Sequence, residues 1–288
     1  MTTTQTTKRD YMLGHEQNEL ERLMRQAEAL GPISRHLLQL AGLGAGMHVL
    51  DLGCGPGDVS FLAARLVGPH GSVVGVDASA DVIALARRRA ERFGFDNVHF
   101  IARDVTQPQA QDLSHELGAG DARFDALIGR LVLMYLPDAA SVLRRLVGLL
   151  RPGAIVTFQE FELAGARSEP RCDLFEHTVK TIEAAFAHRR LDLRLGAKQV
   201  SIFRAAGLPA PEMRLEGRVE SGPDALVYDA LTEVMRTILP VVTSAAIASA
   251  EEVGVDTLAH RLREEAIARN ATLAYVPLVG AWTRVPMT

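Results

Sequence analysis

Cysteine is scarce. The 288 residues hold two, Cys54 and Cys172, which excludes a disulfide framework, and a chain this long does not need one to fold. Cys54 lies inside a glycine-rich run, where its small volume accounts for it, and this usage fits a reducing cytoplasm. Long apolar runs are also missing. No stretch reaches the ~18–20 apolar residues of a membrane span; the longest candidate, Val241–Ala250, is short and contains Thr243 and Ser244. The opening MTTTQTTKRD has no apolar core, so no secretory leader is expected. There is no excess of positive charge, the net being −4, so the chain as a whole does not attract nucleic acid. The histidines and cysteines form neither H-E-x-x-H nor C-x-x-C, and no metal site is expected. No internal repeat or low-complexity run occurs. With 48% apolar and 23% charged residues, the composition is that of a globular protein: one large α/β domain, or one domain with a modest insertion.

The periodicity supplies the order of elements. Residues 16–30 and 34–41 read as helices, stopped by Gly31-Pro32 and by GLGAG. From residue 47 short apolar runs alternate with helical patterns. Strands are predicted at 47–52, 72–77, 97–104, 124–130 and 154–161, and helices at 59–67 and 79–93. A further helix is opened by Pro137-Asp138 and closed by Arg151-Pro152-Gly153. Such alternation implies βαβ units and a parallel sheet with helices on both faces. After Phe161 the pattern breaks. Helices are predicted at 170–190, 196–206, 223–239 and 254–269, a strand at 213–221, and an extended segment at 272–285 interrupted by Pro277. A helical insertion of about fifty residues thus separates two late strands.

VLDLGCGPGD carries the most information. Gly53, Gly55 and Gly57 allow a sharp turn and a close backbone approach to a ligand, at the strand-to-helix junction where open α/β sheets bind nucleotides. A bare turn would also use glycines. The dinucleotide pattern G-x-G-x-x-G requires a glycine where Asp58 stands. A carboxylate there would repel a pyrophosphate and take its place at the helix start. A phosphate-cradling P-loop would need Gly-Lys-Ser/Thr. Acids on both sides of the loop, Asp51 and Asp58, suit a cationic ligand; Asp51 alternatively ties down the loop. Asp77, ending the second strand, is placed to accept from both ribose hydroxyls, or to cap the next helix, a task open to Ser79 as well. Asp104, ending the third strand, either accepts from an adenine amino group or forms an Asx turn.

Taken in order, VLDLGCGPGD, GVDAS, ARDV, FDALIGRLVLMYLPD and LLRPGAIVTFQEF resemble the motif set of class I S-adenosylmethionine (SAM)-dependent methyltransferases. The closest likeness is to the small-molecule branch that includes the ubiquinone and menaquinone enzymes. It covers residues 45–162. The resemblance implies a Rossmann-like sheet with helices on both faces, with helical lid insertions. It also implies SAM as cofactor, S-adenosylhomocysteine as product, and SAM contacts from Gly53, Gly55, Gly57, Asp77, Ala78, Asp104, Val105 and Arg130. In some such enzymes an opening helix closes over SAM and a polar residue reaches its methionine end. By that likeness YMLGHEQNELERLMRQ offers Tyr11, His15 and Gln26, although Tyr11 could equally pack and Gln26 be solvated. The implied organisation is an N-terminal helical cap (1–44), a SAM-binding core (45–164), and substrate or lid helices with the final strands (165–288).

A methyl sulfonium is already activated, so the protein mainly aligns the nucleophile and excludes water; a base is needed only where the nucleophile must lose a proton. Candidate bases are His15, Tyr135, Glu160, His177 and His188, with Glu160 and His15 taken as the catalytic pair of interest. Gln159 and Glu160, ending the fifth strand, face the expected substrate side. Tyr135 covers the adenine, contacts substrate or fills core. Arg190, within the His188-Arg189-Arg190 and Arg194 cluster, is either a carboxylate clamp or part of a solvated face. The inserted helices at 165–195 and 222–270 are expected to form a lid. Leu226, Tyr228, Leu231, Met235, Ile238 and Leu239 would line the pocket, form core, or pair two copies.

The expected partner is a small-molecule substrate, with neither nucleic acid nor membrane, in a monomer or homodimer in the cytoplasm. An amino-directed nucleic-acid methyltransferase would show Asn/Asp-Pro-Pro-aromatic where this chain has GRLVLMYLP. A protein methyltransferase, a SAM-binding protein that transfers nothing, and an NAD-dependent oxidoreductase are the rivals.

Overall fold

The computed structural model describes residues 30–107 and 123–287. Five strands, β1 (His48–Leu52), β2 (Ser72–Asp77), β3 (Val98–Ala102), β4 (Phe124–Arg130) and β5 (Leu150–Phe161), run parallel. They are joined by β7 (Glu212–Glu216) and β10 (Leu278–Arg284) in the order β3-β2-β1-β4-β5-β10-β7, with β10 antiparallel to both neighbours. This is the α/β class read from the alternation. The chain winds outward from β1 in one direction to β2 and β3 and in the other to β4 and β5. That reversal opens a crevice at the carboxyl ends of β1 and β4.

Most helices follow their sequence signals. Residues 30–40 form α1, which runs through Gly31-Pro32, the pair expected to stop a helix, and α2 spans Asp58–Val67. Helix α3 (Ala80–Phe93) starts at Ser79, whose side chain accepts from the Val82 N–H, and stops at left-handed Gly94. Its buried Val82, Ile83, Ala86 and Ala90 recur at helical spacing and face the sheet. Helix α4 (Ala139–Val147) is capped by Asp138, which accepts from the Ser141 N–H.

Three strand boundaries differ from the sequence reading. Strand β5 begins at Leu150, so Arg151-Pro152-Gly153 lies inside it. The ladder with β4 shifts register between Phe124 and Ala126, and such an irregularity lets a strand hold a proline. The single strand expected at 213–221 is two, β7 and β8 (Val219–Ser221), in different sheets. The extended segment 272–285 likewise divides into β9 (Thr272–Ala274) and β10. A Cβ on Gly217 would lie 2.9 Å from Pro277 Cβ, so the two breaks pack against each other.

The small sheet β6-β9-β8, with β6 at Arg167–Glu169, accompanies a helical unit. It comprises α5 (Asp173–His188), α7 (Val227–Ser244), α8 (Ala250–Val253) and α9 (Val255–Ala268), whereas α6 (Gln199–Ala205) packs on the large sheet, with Phe203 against Phe158. Tyr228, Leu231, Met235 and Ile238 are buried against Phe175, Ile182, Leu258 and Leu262, with Leu239 packed on that cluster and Leu226 exposed. These residues are core of the helical unit. Among the described residues no helix is long and apolar enough to cross a membrane, and no group of three metal-ligating side chains occurs.

Candidate functional site

The loop leaving β1 turns on three left-handed glycines, Gly53 (φ 63°), Gly55 (φ 53°) and Gly57 (φ 92°). Each is glycine for its own reason. A Cβ on Gly53 would enter the Val132 side chain, and one on Gly57 would lie 2.8 Å from the Phe100 ring. A Cβ on Gly55 would meet nothing within 4 Å, and Gly55 borders a cavity. Asp77 steadies the loop: its Oδ2 accepts from the Gly55 N–H at 3.1 Å and its Oδ1 from the Ser79 N–H at 2.9 Å.

The two loop acids have different surroundings. Asp51 is buried beneath the loop and accepts from Ser60 Oγ at 2.6 Å, while its Oδ1 has no partner among the described residues. Burial raises its pKa to about 7, against the pull of the Ser60 bond and of Arg130. Asp58 is ion-paired with Arg89 at 2.7 Å, and Arg89 also donates to Pro56 O at 2.6 Å. Of the two charges expected to draw a cationic ligand, that of Asp58 is therefore compensated within the protein.

Above the crevice lies a cavity of about 510 Å³, within the usual size of small-molecule sites. Gly53, Gly55, Asp77, Ala78, Asp104, Val105, Arg130 and Tyr135 line it. Asp104 also forms the alternative Asx turn, accepting from the Thr106 N–H at 3.0 Å. Arg130 is held in place by a chain of bonds: its Nη1 donates to Ser34 Oγ at 3.1 Å, and Ser34 donates to Gln159 Oε1 at 2.7 Å. Burial lowers the Arg130 pKa, opposed by Asp58 and Asp51.

Several expected residues stand elsewhere. Gln159 is buried against α1 through Ser34 and does not border the cavity. Glu160 is fully buried, and its Oε1 accepts from the N–H groups of Val132 and Leu133 at 2.9 and 2.8 Å. Burial pushes its carboxyl up to about 8. Successive strand residues point to opposite faces; Gln159 and Phe161 share one, but only Phe161, at the end of the strand, borders the cavity. Arg190 is exposed and borders a second, more open hollow with Asp192 and Leu195. Arg194 is paired with Glu183, and His177 and His188 are exposed. Asp51 and Gly57 support the loop from behind. Tyr11, His15 and Gln26 fall outside the described residues.

Sequence reasoning missed Ser34, Phe161 and Phe186. Phe161 and Phe186 line the cavity from the end of β5 and from α5. No local pattern marks a phenylalanine on an amphipathic helix as a wall of a distant site. Ser34 could have been suspected only as a hydroxyl on an apolar helix face.

A family described as methyltransferase domain matches residues 43–206, more than half of the chain. The chain is 40% identical over 119 residues to an arsenite methyltransferase of Aquipseudomonas alcaligenes, covering 40% of this chain and 33% of that one. It is 30% identical over 202 residues to a nocamycin O-methyltransferase of Saccharothrix syringae, covering 67% and 66%. The chain thus spans between a third and just under two thirds of these curated relatives. A solved Bacillus halodurans protein shares the fold at a TM-score of 0.56 and 17% identity, over 88% of this chain and 98% of that one.

Proposed function

This chain belongs to the family of methyltransferase domains, and from that premise we propose that it transfers a methyl group from SAM to a small molecule. The observation that carries the reading is the cavity at the carboxyl ends of the strands, bordered by bare backbone at Gly55 and by Asp77 and Asp104.

The residues present suit SAM. At Gly55 the space a side chain would fill is open to the cavity, so a ligand can lie against the backbone. Each Asp77 oxygen holds one N–H and keeps a lone pair for a ribose hydroxyl. Asp104 would accept from the adenine amino group, and Arg130 is the buried-side cation for the carboxylate of the amino-acid end. When bound, SAM supplies an electrophilic methyl on a sulfonium whose thioether leaves unaided. The protein's share is to hold the acceptor in line and to exclude water. Glu160 holds two backbone N–H groups of the segment after β4, which makes it a positioning residue, and Tyr135 is the titratable side chain on that cavity wall.

Calorimetric titration with S-adenosylhomocysteine, and separately with NADH, tests the reading. Uptake of the homocysteine compound alone supports it. Uptake of NADH alone would make the protein an oxidoreductase. Transfer of labelled methyl then separates an enzyme from a protein that only binds SAM.

A further inference from the structure

The cavity has two unlike walls. The wall formed by the loop after β1 and the ends of β2 and β3 carries Asp58, Asp77, Arg103 and Asp104. The facing wall is built from the turn after β4, the end of β5 and helix α5. It presents Met134, Tyr135, Leu136, Pro137, Phe161 and Phe186, and among the described residues the one charge bordering the cavity from that side, Arg130 at the end of β4, is the cation assigned above to the carboxylate of SAM. The nearest acids and amides on β5 are committed elsewhere: Glu160 to the Val132 and Leu133 N–H groups, and Gln159 to Ser34. Phe186 is anchored in the core of the helical unit at 5% exposure, so this wall is preformed.

A charged acceptor held against these side chains would lose its hydration without a countercharge from them, which disfavours an ion. An uncharged ring would lose only water contacts it gains by leaving, and would stack against aromatic side chains. Resting on the methyltransferase reading, we infer that the acceptor is an uncharged, ring-bearing, mostly apolar molecule, selected by Phe161, Phe186 and Tyr135.

The test uses the full chain saturated with S-adenosylhomocysteine and two probes with one ring system, 2-naphthol and 2-naphthoate, measured by equilibrium dialysis. 2-Naphthol should bind at least tenfold more tightly than 2-naphthoate. Phe161→Ala should weaken 2-naphthol at least tenfold while leaving S-adenosylhomocysteine affinity within twofold. Phe186→Leu, which keeps the apolar volume of the core, should weaken it less. Equal or tighter binding of 2-naphthoate, no binding of 2-naphthol at millimolar concentration, or indifference to Phe161→Ala would each overturn the inference. Should S-adenosylhomocysteine itself fail to bind, the methyltransferase reading falls, and the two probes on the unliganded protein still decide whether the cavity prefers an uncharged ring.

Discussion

Ser34 donates a hydrogen bond to Gln159 across 2.7 Å and 125 residues of sequence, and accepts one from Arg130. One hydroxyl thereby ties α1 to the end of β5 and orients the guanidinium that borders the cavity. Ser34→Ala should leave the buried Gln159 oxygen unsatisfied, at a cost of about 1–3 kcal/mol of stability. The same change should loosen Arg130 and weaken S-adenosylhomocysteine binding. Urea unfolding and calorimetry check both effects; unchanged values would show that the Ser34 bridge supports neither stability nor Arg130.

Asp77→Ala removes the acceptor for the Gly55 and Ser79 N–H groups and for the ribose. Affinity for SAM should fall by about 1–3 kcal/mol, the scale for hydrogen bonds to a charged group. Titration that returns wild-type affinity would refute the ribose assignment.

Gly55→Val places a β-branched residue at φ 53° with its side chain in the open space of the cavity. The backbone strain is about 1–2 kcal/mol, which a domain of this size should survive. Circular dichroism should therefore report a folded protein that no longer takes up S-adenosylhomocysteine. Retained uptake would show that the ligand does not approach the loop there.

Glu160 and Asp51 make stability depend on pH. Their folded pKa values, about 8 and about 7, lie above the ordinary 4.5 and 3.8 because of burial. The folded state therefore holds protons that the unfolded state has released, and stability falls as pH rises through these windows. It is greatest below about pH 4 for these two groups and levels off above about pH 8. Glu160→Gln should flatten the slope between pH 5 and 8, with the amide oxygen still accepting from Val132 and Leu133. Glu160→Ala should instead lower stability at every pH. Denaturant midpoints at pH 5, 7 and 9 distinguish the two variants, and an unchanged slope in Glu160→Gln would assign the dependence elsewhere.

Leu231→Ala should cost about 2–5 kcal/mol, because Leu231 is 2% exposed in the core of the helical unit. S-adenosylhomocysteine affinity should be retained by the protein that remains folded. Deleting residues 222–270 would be a poorer probe of the lid, since α7 and α9 cover the apolar face of α5.

The alternation of strands and helices, the left-handed turn at Gly53, Gly55 and Gly57, and the acids after β2 and β3 were all determined by the sequence itself. Each is a local matter: hydrophobic period, backbone freedom, or a side chain at a strand end. The tertiary structure decided what no window of residues contains. It turned Gln159 and Glu160 away from the cavity, because β5 is buried on both faces and their bonded oxygens are held there by Ser34 and by the Val132 and Leu133 N–H groups. It matched Asp58 with Arg89 and Ser34 with Arg130, pairs brought together only when α3 and α1 pack on the sheet. It also buried Tyr228 and Leu231 in a separate core and brought Phe161 and Phe186 together as one wall, since apolar surface goes wherever the assembled elements exclude the most water.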